Sequence, residues 1–160
     1  MIEYRNGNLL DQDDIEAFLH QCNCFCNFGA GIAKEIKRRY PEAYEADLRT
    51  TKGDPDKLGT YTEETCHDGR IVVNLYGQYT YGCAPDSTKP HTDYSSLKHA
   101  IEEFIKDYSS SKKLTGDPMV IGMPYKIGCG LGGGDWNVVE TMIKELFENN
   151  DDFRLIICKL

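Results

Sequence analysis

The chain has 160 residues, with 18 basic side chains against 26 acidic ones for a formal charge of −8, and an apolar content of 40%. That is room for one domain spanning residues 1–160, with a core of its own, and the acidic balance excludes a non-specific nucleic-acid binder, which needs a basic surface. No run approaches the ~20 apolar residues of a membrane helix, and Met1 to Gly7 hold no apolar leader core, so a cytoplasmic protein with no membrane partner is expected.

In chain order, Ile2 to Arg5 reads as a weak first strand. Ile15 to Cys24 is mixed: Asp13-Asp14-Ile15-Glu16 suits a helical turn, and Phe18 to Cys22 a buried strand. Gly31 to Arg49 is predicted helical, with Ile32, Ile36, Tyr40 and Tyr44 at one-turn spacing and a break or kink at Pro41. Loops are predicted at Thr51 to Lys57, Gly82 to Pro90, and Ser109 to Lys113. Strands are predicted over Leu58 to Glu63, Arg70 to Gln78, Met119 to Met123 and Phe153 to Cys158. Helices are predicted over Tyr94 to Tyr108 and Trp136 to Phe147, each with an apolar stripe. This alternation predicts an α/β fold with a mixed, mainly parallel sheet flanked by helices. Such sheets bind ligands beyond the carboxyl ends of their strands.

Seven cysteines, an odd number, without a secretion signal read as free thiols. Cys22, Cys24 and Cys26 alternate with His20 in reach. The second cysteine pair of a usual zinc site is missing, so no metal is expected there and packing thiols are the reading.

Two glycine-rich turns stand out. The first, Gly29-Ala30-Gly31-Ile32-Ala33, opens a helix, where bare backbone and unpaired N–H groups suit a phosphate. The second packs five glycines into the seven residues Gly128 to Gly134, a composition that makes sense where backbone wraps a ligand closely. It is not a P-loop, since no Gly-Lys-Ser/Thr follows, and its spacing is not that of a dinucleotide fingerprint. Asp135 stands where an N-cap belongs.

The order Gly7-Asn8-Leu9, a strand ending near Asn23, Gly29 to Ala33, then Met123-Pro124 and Ile127-Gly128-Cys129-Gly130-Leu131 to Trp136 resembles macrodomains, the ADP-ribose-binding three-layer α/β/α fold. The resemblance covers nearly the whole chain. It looks closest to the ADP-ribose 1″-phosphate phosphatases and the terminal ADP-ribose protein glycohydrolases, both of which carry a histidine nine residues before the first glycine, as His20 does. The resemblance implies that Asn8 and Leu9 lie at the adenine and that Asn23 faces the distal ribose. It also implies that Gly29, Ala30, Gly31, Ile32 and Ala33 wrap that ribose and a phosphate. Gly128, Cys129, Gly130, Leu131, Gly132 and Gly133 would hold the diphosphate through N–H groups. The glycohydrolase branch has a lysine near the position of Gly77 and an aspartate where Gly132 stands, so its mechanism is not supported.

For a phosphate monoester, the chemistry needs a positioned water and a proton donor to the leaving oxygen. His20 is the expected acid–base group, being the side chain that titrates near neutrality, and Asp135 its carboxylate partner. His91 and Asp93 read as caps of the next helix, and Cys129 as a spacer. The expected activity is ADP-ribose 1″-phosphate hydrolysis, by a monomer without cofactor. An ADP-ribosylhydrolase acting on protein or nucleic acid, and a non-catalytic reader, are the alternatives.

Overall fold

A computed structural model describes every residue except Ser87, which lies in the predicted Gly82 to Pro90 loop, and describes residues 110–115 by backbone alone. Six strands form one sheet: β1 (Ile2–Asn6), β2 (Ala17–Cys22), β3 (Tyr61–Thr65), β4 (Ile71–Tyr76), β5 (Met119–Pro124) and β6 (Phe153–Lys159). Their order is β1-β6-β5-β2-β4-β3, all parallel except β3, which runs antiparallel to β4 at the edge.

Helices cover both faces. α1 (Gly31–Arg39) and α2 (Pro41–Leu48) lie on one side, α3 (Tyr94–Thr115) and α4 (Trp136–Phe147) on the other. Strand alternation divides the core accordingly. Ala17 and Leu19 of β2 with Val73 and Leu75 of β4 meet Leu97, Ile101 and Phe104 of α3. Phe18, Cys22, Val72 and Tyr76 point the other way, onto Ile36, Tyr40 and Ala43. Each fully buried large side chain contributes roughly 1.5–3 kcal/mol by leaving water, and Phe104, Phe147 and Phe153 are stacked edge to face or tilted at 5.7–5.8 Å in the first of these cores. Among the described residues, no helix is long and apolar enough to cross a membrane.

The expected interruption at Pro41 is a full break into two helices, because Pro41 lacks the N–H that would continue the first and sits in the opening turn of the second. Three other expectations change. A turn does form at Asp13–Asp14, closed by the Ile15 N–H on the Gln12 carbonyl, but the helical turn lies earlier, a 3-10 turn at Leu9–Asp11 capped by Asn8. Pro55–Lys57 tightens into another 3-10 turn, so β3 starts at Tyr61 and not at Leu58. The serine run, read as a loop, continues α3 to Thr115; the stop is Gly116, whose φ of +80° ends the helix in the left-handed region.

Candidate functional site

A cavity of about 550 Å³ opens at the carboxyl ends of β2, β4 and β5, where a doubly covered parallel sheet binds ligands and within the size range of ligand pockets. One wall is the turn from β2 into α1, and the opposite wall the turn from β5 toward α4.

The first wall is built by asparagines. Asn23 accepts from the Phe25 N–H at 2.9 Å and donates to the Asn27 carbonyl at 2.8 Å. Asn27 in turn accepts from the Gly29 N–H at 2.9 Å. Such Asx bonds fold the backbone into a tight turn. The turn delivers Ala30, whose methyl cannot cap α1, so the helix starts without a side-chain cap. Gly31 sits at φ +58°. No protein acceptor meets the N–H groups of Gly31, Ile32 or Ala33 among the described residues.

Behind this turn lies a buried ion pair. Lys57 Nζ is 3.6 Å from Asp47 Oδ1, with the two side chains 7% and 0% exposed. Tyr76 donates to the same oxygen at 2.6 Å, and Lys57 donates to the Cys24 carbonyl at 3.4 Å. The pair thus fastens the loop from beneath.

The second wall is clamped by three polar side chains. Gln21 donates to Gln78 Oε1 at 2.7 Å and to Thr92 Oγ1 at 2.9 Å, and Thr92 donates to the Gly128 carbonyl. The Gly132 carbonyl accepts from the backbone N–H groups of His91 and Thr92. Gly128 adopts φ +75°, and the N–H groups of Gly130, Leu131 and Gly132 meet no protein acceptor among the described residues. Uncommitted amides therefore line both walls, one set at a helix start, and this arrangement suits a multiply charged anion.

Ten of the expected ligand residues line the cavity: Asn23, Gly29, Ala30, Gly31, Ile32, Ala33, Gly128, Gly130, Leu131 and Gly132. Asn8, Leu9, Cys129 and Gly133 do not. The Asn8 oxygen accepts from the Leu10 N–H at 3.0 Å, and Leu9 is core. The Cys129 thiol bonds the Ile127 carbonyl, and burial pushes it up to about 11, which keeps it protonated at neutral pH. Sequence reading missed Gln21, Asn27, Gln78, Tyr81, Tyr125 and Lys126, which also line the cavity.

The acid–base pair is corrected. His20 is fully buried on the α1–α2 face, with Nε2 2.7 Å from Asn74 Oδ1, its ring edge-on to Phe28, and it does not line the cavity. Burial lowers it to about 4 against the opposing pull of the Asn74 bond, so the ring is neutral and donates from Nε2. Asp135 caps α4 by accepting from the Asn137 N–H at 2.9 Å and is likewise outside the lining. The described lining contains no histidine and no carboxylate, and Lys126 is its one charged side chain.

Position 132 has a physical reason to be glycine. A Cβ there would stand 2.7 Å from Thr92 Oγ1 and 2.9 Å from the Gly128 carbonyl oxygen.

No family model matches the chain. An uncharacterized 17.5 kDa protein from the tk-vs intergenic region of Enterobacteria phage T4 is 33% identical over 128 residues, covering 78% of this chain and 75% of that protein. The ADP-ribose 1″-phosphate phosphatase of Debaryomyces hansenii is 27% identical, covering 91% of this chain and 93% of the yeast protein. The macrodomain of Mycobacterium tuberculosis DarG superposes over 99% of this chain and 97% of its own with a TM-score of 0.72 and 25% identity. The three-layer fold, the two glycine walls and these likenesses define the class: the chain belongs to the macrodomain family.

Proposed function

We propose that the chain, acting as a cytoplasmic monomer, binds ADP-ribose or an ADP-ribose derivative in this cavity and hydrolyses the phosphate of ADP-ribose 1″-phosphate. The observation that carries the binding is the set of six unbonded N–H groups, three on each wall. Such donors hold a diphosphate and, at a phosphoryl centre, stabilise charge on the equatorial oxygens as water forms the new P–O bond. The departing oxygen belongs to a hemiacetal, a better leaving group than an ordinary alcohol. The reaction therefore leans on orientation and electrostatics more than on a side-chain acid. The yeast phosphatase, matched over nearly its full length, supports this substrate. The crowding at Gly132 speaks against a glycohydrolase carboxylate at that position.

A second reading, a non-catalytic ADP-ribose reader, is favoured by the lack of histidine and carboxylate in the described lining. Three measurements separate them: calorimetric titration with ADP-ribose, phosphate release from ADP-ribose 1″-phosphate, and ADP-ribose release from a modified carboxylate or base. Binding with phosphate release supports the phosphatase. Binding without release of phosphate, and without release of ADP-ribose from a modified carboxylate or base, leaves the reader. No binding overturns both.

A further inference from the structure

Among the described residues, two non-glycine residues have positive φ, Cys26 at +55° and Lys126 at +61°. Each belongs to one of the two turns that frame the cavity. Neither residue type favours that conformation, and it persists only where something compensates.

For Cys26 the compensation is inside the protein. Its thiol donates to the Asp47 carbonyl at 3.5 Å, and its own carbonyl accepts from the Tyr44 hydroxyl at 3.2 Å. Lys126 is different. Its carbonyl closes a turn with the Cys129 N–H, a bond that any residue at position 126 would make. Its side chain makes no hydrogen bond and no ion pair among the described residues; Nζ lies 5.7 Å from the ring of its neighbour Tyr125. Glycine would relieve the backbone here, so the fold alone gives no reason for a lysine. The cavity gives one: Lys126 is exposed at its edge, on the same turn as the unbonded amides of Gly130 to Gly132, and is its one charged lining residue. The whole chain, at −8, opposes the approach of an anion.

We propose that Lys126 is the counter-ion of the bound diphosphate, held at the cavity edge by a strained backbone. It supplies the charge that the neutral amide cradle lacks and sets the preference for diphosphate-bearing ligands. This rests on ADP-ribose binding in the cavity.

The test is calorimetric titration of ADP-ribose into the parent and the variants Lys126→Gly, Lys126→Arg and Lys159→Ala, each at low and high salt. Lys159 is the control, since its Nζ lies 5.1 Å from the same Tyr125 ring without lining the cavity. Lys126→Gly is expected to bind about tenfold more weakly at low salt, as loss of one charged phosphate contact implies. Its affinity should depend less on salt, and its melting temperature should equal or exceed the parent's. Lys126→Arg should bind within about twofold of the parent, an upper bound of ~0.4 kcal/mol, and Lys159→Ala should match it. Unchanged affinity in Lys126→Gly, or equal loss in the arginine variant, overturns the proposal while leaving the ADP-ribose reading intact. A parent that does not bind ADP-ribose overturns both.

Discussion

Thr92 Oγ1 donates a 2.6 Å hydrogen bond to the Gly128 carbonyl and accepts one from Gln21, so a single hydroxyl joins β2 to the second glycine turn. Thr92→Val keeps the shape and removes both bonds. Unpairing buried polar groups costs about 1–3 kcal/mol, less whatever the Gly134 N–H on the same carbonyl retains. Chemical denaturation should report that loss, and calorimetry should report weaker ADP-ribose binding. A variant with parental stability would show that the clamp carries no weight.

Gly132→Ala tests the crowding. Its Cβ would meet Thr92, the Gly128 carbonyl and Gln78 Oε1, the last at 3.1 Å, and overpacking of this kind costs about 1–3 kcal/mol. A lower melting temperature with weakened ligand binding is expected. Gly132→Asp should be worse still, and should not create ADP-ribose release from modified protein.

His20 is a core residue, and its titration has a definite sign. The folded ring sits near 4 and the unfolded one near 6.5, so between those values the unfolded chain binds more protons and stability falls as pH falls. The contribution is about 3 kcal/mol over the whole window, absent above pH 6.5. Denaturation midpoints at pH 7 and 4.5 should therefore diverge less in His20→Gln than in the parent. That variant should lose about 1–3 kcal/mol at neutral pH yet retain phosphate release when folded. Abolished turnover in a stably folded variant would restore a catalytic role to His20.

Lys57 and Asp47 predict a non-additive pair. Lys57→Met leaves Asp47 buried beside Tyr76 with its cation gone, at a cost of about 3–5 kcal/mol. Adding Asp47→Asn should recover part of the loss, and a double-mutant cycle by urea denaturation measures it. Strict additivity would mean the two groups do not act as a pair.

The fold was legible because its signals are contiguous, periodic or punctuating. Short apolar runs marked β2 and β4, one-turn spacing marked α3 and α4, and Pro41 marked the break between α1 and α2. The glycine walls were legible for the same reason, being runs of one residue type. The clamp was not, since Gln21, Gln78 and Thr92 are ordinary polar residues brought together across 57 and 71 positions of chain. His20 was misplaced by its depth along β2. Residue type favoured it, but it sits two residues short of the strand's end, packed against Asn74 and Phe28, while Gln21 and Cys22 at that end line the cavity. Asp135 was marked by its position before a helix, and capping is the work it does; Asn8 was named by the family resemblance alone, and its side chain caps the turn at Leu9–Asp11.

Recognition by main-chain amides has a consequence for how this surface is surveyed. Alanine scanning deletes side chains, and at Ile32 or Leu131, which line the cavity, the unbonded N–H survives the deletion. Such a scan would pass over the amide cradle. The informative direction is addition: a methyl group placed on Gly31, Gly128 or Gly132, where backbone angle or crowding strains it, should shift the donors themselves and draw the outline of the site in lost affinity.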